Sequence, residues 1–128
     1  VDVNDWVINA QDAGTIEAGT ADEQAFSEME NLVGNAEVDN FSVDGAGSLT
    51  GSIDGAGGAN TLDVSTATGA VTVNLATGAA TPFNSNGAGG FSNIGAFTGD
   101  NTNDTLVGPN GGATFTTTGE KDGTVASV

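Results

Sequence analysis

The 128-residue chain has no cysteine, histidine, arginine or tyrosine, and its single basic side chain is Lys121. Without cysteine there is neither a disulfide framework nor a thiol site. Without the other three, most acid–base and nucleophilic constellations cannot be assembled, and only paired carboxylates remain. Two carboxylates suffice in principle for glycoside hydrolysis. Such sites usually also draw on a cation and on stacking aromatics, and this chain offers only Lys121 and one tryptophan, Trp6. Enzymatic function is therefore not expected. One base against 17 acids gives a net charge of −16, which excludes nucleic acid because nothing here neutralises phosphate. Anionic membrane surfaces are excluded in the same way. No apolar run approaches membrane-spanning length, so membrane insertion is not expected, and no signal-peptide pattern is present. The chain begins with Val1 rather than Met, which reads as a processed product or one piece of a longer polypeptide.

What the chain has in excess is glycine, 21 residues of it, set among Ala, Ser and Thr. Between the glycines run short alternating segments. Ala70-Val71-Thr72-Val73-Asn74-Leu75 places Val71, Val73 and Leu75 on one face. Leu49 to Ile53 alternates likewise and ends in the turn dipeptide Asp54-Gly55. Thr61 to Ser65 points Leu62 and Val64 inward, and Ala113 to Thr117 and Thr124 to Val128 read as further strands. Trp6 with Ile8, and Ile16 with Ala18, supply shorter ones. One stretch is ambiguous: Thr20-Ala21-Asp22-Glu23 resembles a capping box, with Phe26, Met29 and Val33 at helical spacing behind it. Strand is preferred for Phe26 to Val33, with Thr20 to Ala25 as a loop or a single helical turn.

A worn pattern recurs three times: Gly34 to Phe41, Gly55 to Leu62 and Gly99 to Leu106. Each copy is a glycine-led polar turn, an Asp or Asn, one spacer and a large apolar residue. The anchors Phe41 and Leu62 are 21 residues apart, and Leu62 and Leu106 are 44 apart. A longer echo aligns Phe26–Gly34 with Phe91–Gly99 at an offset of 65, about three times the shorter spacing. Such periodicity is the arithmetic of a coil whose units need stacked neighbours to bury their apolar faces. The expected fold is all-β: a parallel β-solenoid (β-helix) of about six coils, 21–22 residues per coil. Residues 1–128 would form a single module. Neither terminus reads as a cap, so the module would be one unit of a longer tandem or stacked array.

The nine-residue motif resembles the haemolysin-type (RTX) calcium repeat, G-G-x-G-x-D-x-U-x with U a large apolar residue. That resemblance implies Ca²⁺ ligands at Asp39 and Asp104, with Asn60 in the middle copy and Asp54 and Asp100 as neighbouring candidates. The apolar position falls on Phe41, Leu62 and Leu106. No copy keeps all three consensus glycines, and the copies are not back to back. The competing reading makes Asp39, Asn60 and Asp104 turn formers that hydrogen-bond their own backbone, and it is preferred; no cofactor is required, and Ca²⁺ is the one candidate. The wider phrases Gly51–Ser65, Gly69–Gly78 and Asn103–Gly108 are similar to repeats of giant secreted bacterial surface proteins, of the RTX-adhesin and filamentous-haemagglutinin types. The resemblance implies an extracellular filament, surface fibre or adhesin on the bacterial cell surface. Its partners would be identical or similar repeats stacked head to tail, with cell-surface or polysaccharide contacts. A calcium-dependent adhesin or carbohydrate-binding module is the alternative.

Overall fold

The computed structural model describes residues 3–17, 19–83, 90–100, 103–111 and, as backbone, 124–126. The chain opens with β1 (Val3–Ala10), β2 (Ala13–Ile16) and β3 (Gln24–Ser27). It continues through β4 (Leu32–Val33), β5 (Val38–Gly45), β6 (Ile53–Asp54) and β7 (Thr61–Ala67). Then come β8 (Thr72–Asn74), β9 (Ala79–Ala80), β10 (Phe91–Ser92), β11 (Ala96–Thr98), β12 (Thr105–Val107) and β13 (Thr124–Ala126). No described residue is helical. The helical spacing of Phe26, Met29 and Val33 is broken at Glu28, whose φ of 58° turns the chain out of β3 before β4 begins. Thr20 does not cap a helix; its hydroxyl donates to the Glu17 carbonyl and accepts the Asp22 amide in a local turn.

The strands form three sheets, ordered β11-β7-β5-β1-β2-β3, β10-β6-β4 and β13-β12-β8-β9. The all-β expectation therefore holds, but the parallel solenoid of six coils does not. The sheets are mixed: β1–β2, β2–β3 and β8–β9 are antiparallel. Nor is the first edge capless, because β2 and β3 lie beyond β1. The physical reason is local turn chemistry. After Ala10 the chain reverses through Gln11 and Asp12, Asp12 sitting at φ 53°, so that Ala10 pairs with Ala13 instead of rounding a wide corner. After β8 the Asn74 side chain accepts the amides of Ala76 and Thr77, and Gly78 at φ 73° completes a second reversal. A left-handed residue at each bend returns the strand beside itself.

These reversals stretch the spacing between paired strands. The 21-residue offset survives where no reversal intervenes, in Leu32↔Ile53 and Phe41↔Leu62. It is longer in Trp6↔Phe41, Leu62↔Phe97 and Ile53↔Phe91, and slightly shorter in Leu106↔Val125. The 65-residue echo joins positions that are not equivalent: Phe26 lies on an antiparallel strand of the large sheet, Phe91 on a parallel strand of the second. Leu106 pairs with Val73 in the third sheet, not with Leu62. Leu49 makes only an isolated bridge, so Leu49 to Ile53 is not one strand. The reading of Ala113 to Thr117 as a strand lies outside the described residues.

Parallel register stacks like on like. Trp6, Phe41, Leu62 and Phe97 form one row across four strands, with Trp6 and Phe41 stacked at 5.6 Å and an interplanar angle of 18°. One core draws on all three sheets: Ile8, Phe41, Val43, Leu62 and Val64 from the first, Leu32 and Ile53 from the second, Val73 and Ala80 from the third. On the opposite face of the large sheet the Thr61 hydroxyl donates to Asn40 Oδ1, and Asn40 Nδ2 donates to Asp5. Period-two alternation thus separates an apolar layer from a hydrogen-bonded polar one.

Phe41 is fully buried in the middle of this row. Replacing it with Ala is expected to cost about 3–5 kcal/mol in urea unfolding, the range for emptying an aromatic core site. Met29→Ala, at a side chain 52% exposed, should stay within about 0.5 kcal/mol.

Candidate functional site: the glycine-led corners

The three motif copies share one spacing, a glycine five residues before the Asp or Asn: Gly34 and Asp39, Gly55 and Asn60, Gly99 and Asp104. In the outer two copies the carboxylate reaches back to the amide following the glycine. Asn35 N donates to Asp39 Oδ2 at 3.0 Å, and Asp100 N to Asp104 Oδ2 at 2.8 Å. A Cβ on any of the three glycines would overlap the Asp or Asn side chain five residues on. The motif therefore encodes a corner closed by its own side chain, the turn-forming reading of these residues.

Copies one and two are stacked. Asp39 N donates to Asn60 Oδ1 at 2.9 Å, and Gly57 N to the Asn35 carbonyl at 2.8 Å. Copy three stands apart, its Asp104 Oδ1 accepting the amide of Val71. Asp39 is fully buried. Its carboxylate receives Asn35 N, Asn4 Nδ2 at 2.9 Å and Trp6 Nε1 at 3.1 Å. These N–H donors do for the anion what a guanidinium would do elsewhere.

Asn60 has the opposite polarity. Its Nδ2 donates to the carbonyls of Gly55, Gly57 and Asn93 at 2.6, 2.7 and 3.0 Å, two hydrogens shared among three acceptors. A carboxylate there would face three carbonyl oxygens. The loss of charge in the middle copy is thus a requirement of its surroundings. Asp54 lies at the rim, where its Oδ1 accepts Ala56 N at 2.9 Å and Asn93 Nδ2 at 2.7 Å. The Ala56 amide first, and then the Asn93 side chain, hold the Asp54 carboxyl below its ordinary pKa. Asp100 contributes its amide to the third corner.

Of the sequence-derived candidates, Asp39, Asn60 and Asp54 gather around the stacked corners, while Asp100 and Asp104 form the separate one. Among the described residues no group of three or more acidic side chains is arranged to hold a metal ion. Sequence reasoning missed Asn4, Trp6, Asn35 and Asn93 as partners. Asn93 carried a signal, since Asn tolerates the left-handed region in which it sits, at φ 54°. It also missed Asp12, a buried acid whose carboxylate accepts the Thr50 amide at 2.7 Å and the Thr50 hydroxyl. Comparison with protein-family models, curated proteins and solved structures gives no match.

Two measurements check this geometry. Asn60→Asp sets a buried anion against carbonyls and should cost about 3–5 kcal/mol, read as a lowered urea midpoint; recovery of the midpoint on adding calcium would instead favour the metal-ligand reading. For Asp54, the carboxyl carbon should titrate in NMR with a midpoint below 3.8, and Asn93→Ala should raise it. Because the folded value is depressed, the stability from Asp54 is present above its unfolded value and lost as pH falls through the folded one.

Proposed function

We propose that this chain is a structural module of an extracellular bacterial filament, surface fibre or giant adhesin, working beside identical or similar repeats. The observation that carries the reading is the in-register stack of Trp6, Phe41, Leu62 and Phe97, tied at its border by the Asp39–Asn60 corner. Cross-linking of this kind joins strands 21 and 35 residues apart in sequence through rows of backbone and side-chain hydrogen bonds. Such rows resist shear because many bonds must break together. Asp22, Glu23, Glu28, Glu30, Glu37 and Asp44 are exposed. With a net charge of −16, they keep neighbouring fibres soluble and apart. The carboxylates of Asp39, Asp54 and Asp104 serve as corner acceptors, in keeping with a structural role.

Electron microscopy of the native material, with and without EDTA, tests the proposal. Long uniform filaments or fibres that survive EDTA are the expected result. Discrete monomers in both conditions would overturn it, and fibres that dissolve in EDTA would transfer the role to a calcium-dependent adhesin.

A further inference from the structure

β1 is a strand with two usable edges. On one side it matches β5 in parallel over six successive pairs, Val3↔Val38 to Ile8↔Val43. On the other side, a further parallel strand from a second copy of the chain would meet the same pattern of donors and acceptors. That place is taken by β2, which pairs antiparallel through Trp6↔Ile16, Val7↔Thr15, Ile8↔Gly14 and Ala10↔Ala13. We infer that the β2–β3 meander is a built-in edge cap, which occupies the pairing edge of β1 and closes the end of the core against extension by another copy of the chain.

Three independent features of the meander serve closure. The first is apolar. Phe26 of β3 lies over Gly14 and meets Trp6 edge-on at 6.2 Å, so it covers the last ring of the aromatic row. Gly14 makes this approach feasible, because a Cβ there would lie 2.9 Å from Phe26 Cζ. The second is a latch. Asp12 donates its amide to the Ser48 carbonyl at 2.9 Å while its carboxylate holds Thr50, and Met29 N donates back to the Asp12 carbonyl at 3.0 Å. The two ends of the meander are thereby fastened to each other, and through Asp12 to the body of the fold.

The third feature is the new edge that the meander presents. β3 is short, is the terminal strand of its sheet, and is bordered by the exposed acids Asp22, Glu23, Glu28 and Glu30. Glu17 and Glu28, both at φ 58°, bend the chain away at the ends of β2 and β3. Short length, charge and a bent backbone are the means by which sheet edges avoid pairing. A second copy would bring the same acids to the same edge. The cap thus replaces a long pairing edge by one that repels its own kind. The inference is independent of the filament proposal, since an edge can be sealed in a monomer.

The test uses the full chain and two changes. Phe26→Ala removes the cover, and the pair Val7→Cys with Thr15→Cys, at directly opposed positions, locks β2 onto β1 by a disulfide in a protein without cysteine of its own. With Phe26→Ala, hydrogen exchange of the β1 amides is expected to quicken by about tenfold or more while β5 and β7 keep their protection. Sedimentation velocity should then show association beyond that of the unsubstituted chain, and the oxidised double-cysteine version of Phe26→Ala should return to the original behaviour. Faster β1 exchange without added association would overturn the cap. So would a loss of protection throughout β5 and β7, because the meander would then be part of the body of the fold. Failure of the native material to form fibres would leave these readouts unchanged, so the two proposals fail separately.

Discussion

A chain with 17 acids and a single base has to bury any carboxylate without a cationic partner. Asp39 shows how this is done. Its oxygens collect one backbone amide, one side-chain amide and one indole N–H, drawn from its own corner and from β1. An unpaired carboxylate at this depth would cost several kcal/mol, so the three donors must arrive together. Their arrival fixes the register of β1 on β5, and the bond from Asp39 N to Asn60 fixes the register of β5 on β7. A slip of one residue would turn Trp6, Phe41 and Leu62 to the solvent face and strand the anion. Apolar layering and polar satisfaction therefore select the same alignment, and neither does so alone.

This dependence explains how much of the molecule was legible in the sequence. Alternation around Leu62 and Val64 identified β7, and the 21-residue return of Phe41 at Leu62 identified an unbroken step between parallel strands. The back-bonding roles of Asp39 and Asp104 follow from short polar side chains in glycine-led turns, which local chemistry makes readable. The two antiparallel excursions were not readable in this way. They depend on Asp12, and on Asn74 with Gly78, adopting reversals whose residues also suit an open corner. Periodicity reports which residues face inward, not which way the strand runs. The 65-residue echo failed for the same reason: Phe26 and Phe91 are both inward-facing aromatics at an end of the core, reached by different topologies.

The partners of Asp39 were hidden more deeply. Asn4 and Trp6 lie 35 and 33 residues away, and nothing in a polar residue spaced two from a tryptophan announces a carboxylate between them. The identity of Asn60 carried more information than its place in a motif suggested. Read as a worn Asp, it looks like a lost ligand. In its surroundings of three carbonyls it is the one residue of that size whose side chain can both donate to them and accept the Asp39 amide. Small differences between repeats thus record differences in hydrogen-bond polarity.

Those polarities run in one direction. From the Asn93 carbonyl the sequence of partners passes through the Asn60 side chain to the Asp39 amide, and from the Asp39 carboxylate to Asn4 and Trp6. At Trp6 the polar column and the aromatic row meet, because one indole both donates to Asp39 and stacks on Phe41. Among the described residues no further corner stands beyond it, and Phe26 packs edge-on against the indole. A donor-only group is a fitting end for such a column, since the indole has no acceptor with which to carry the pattern further. The stack of corners and the stack of rings stop at the same residue, and the strand that bears it is the one on which the chain turns back along itself.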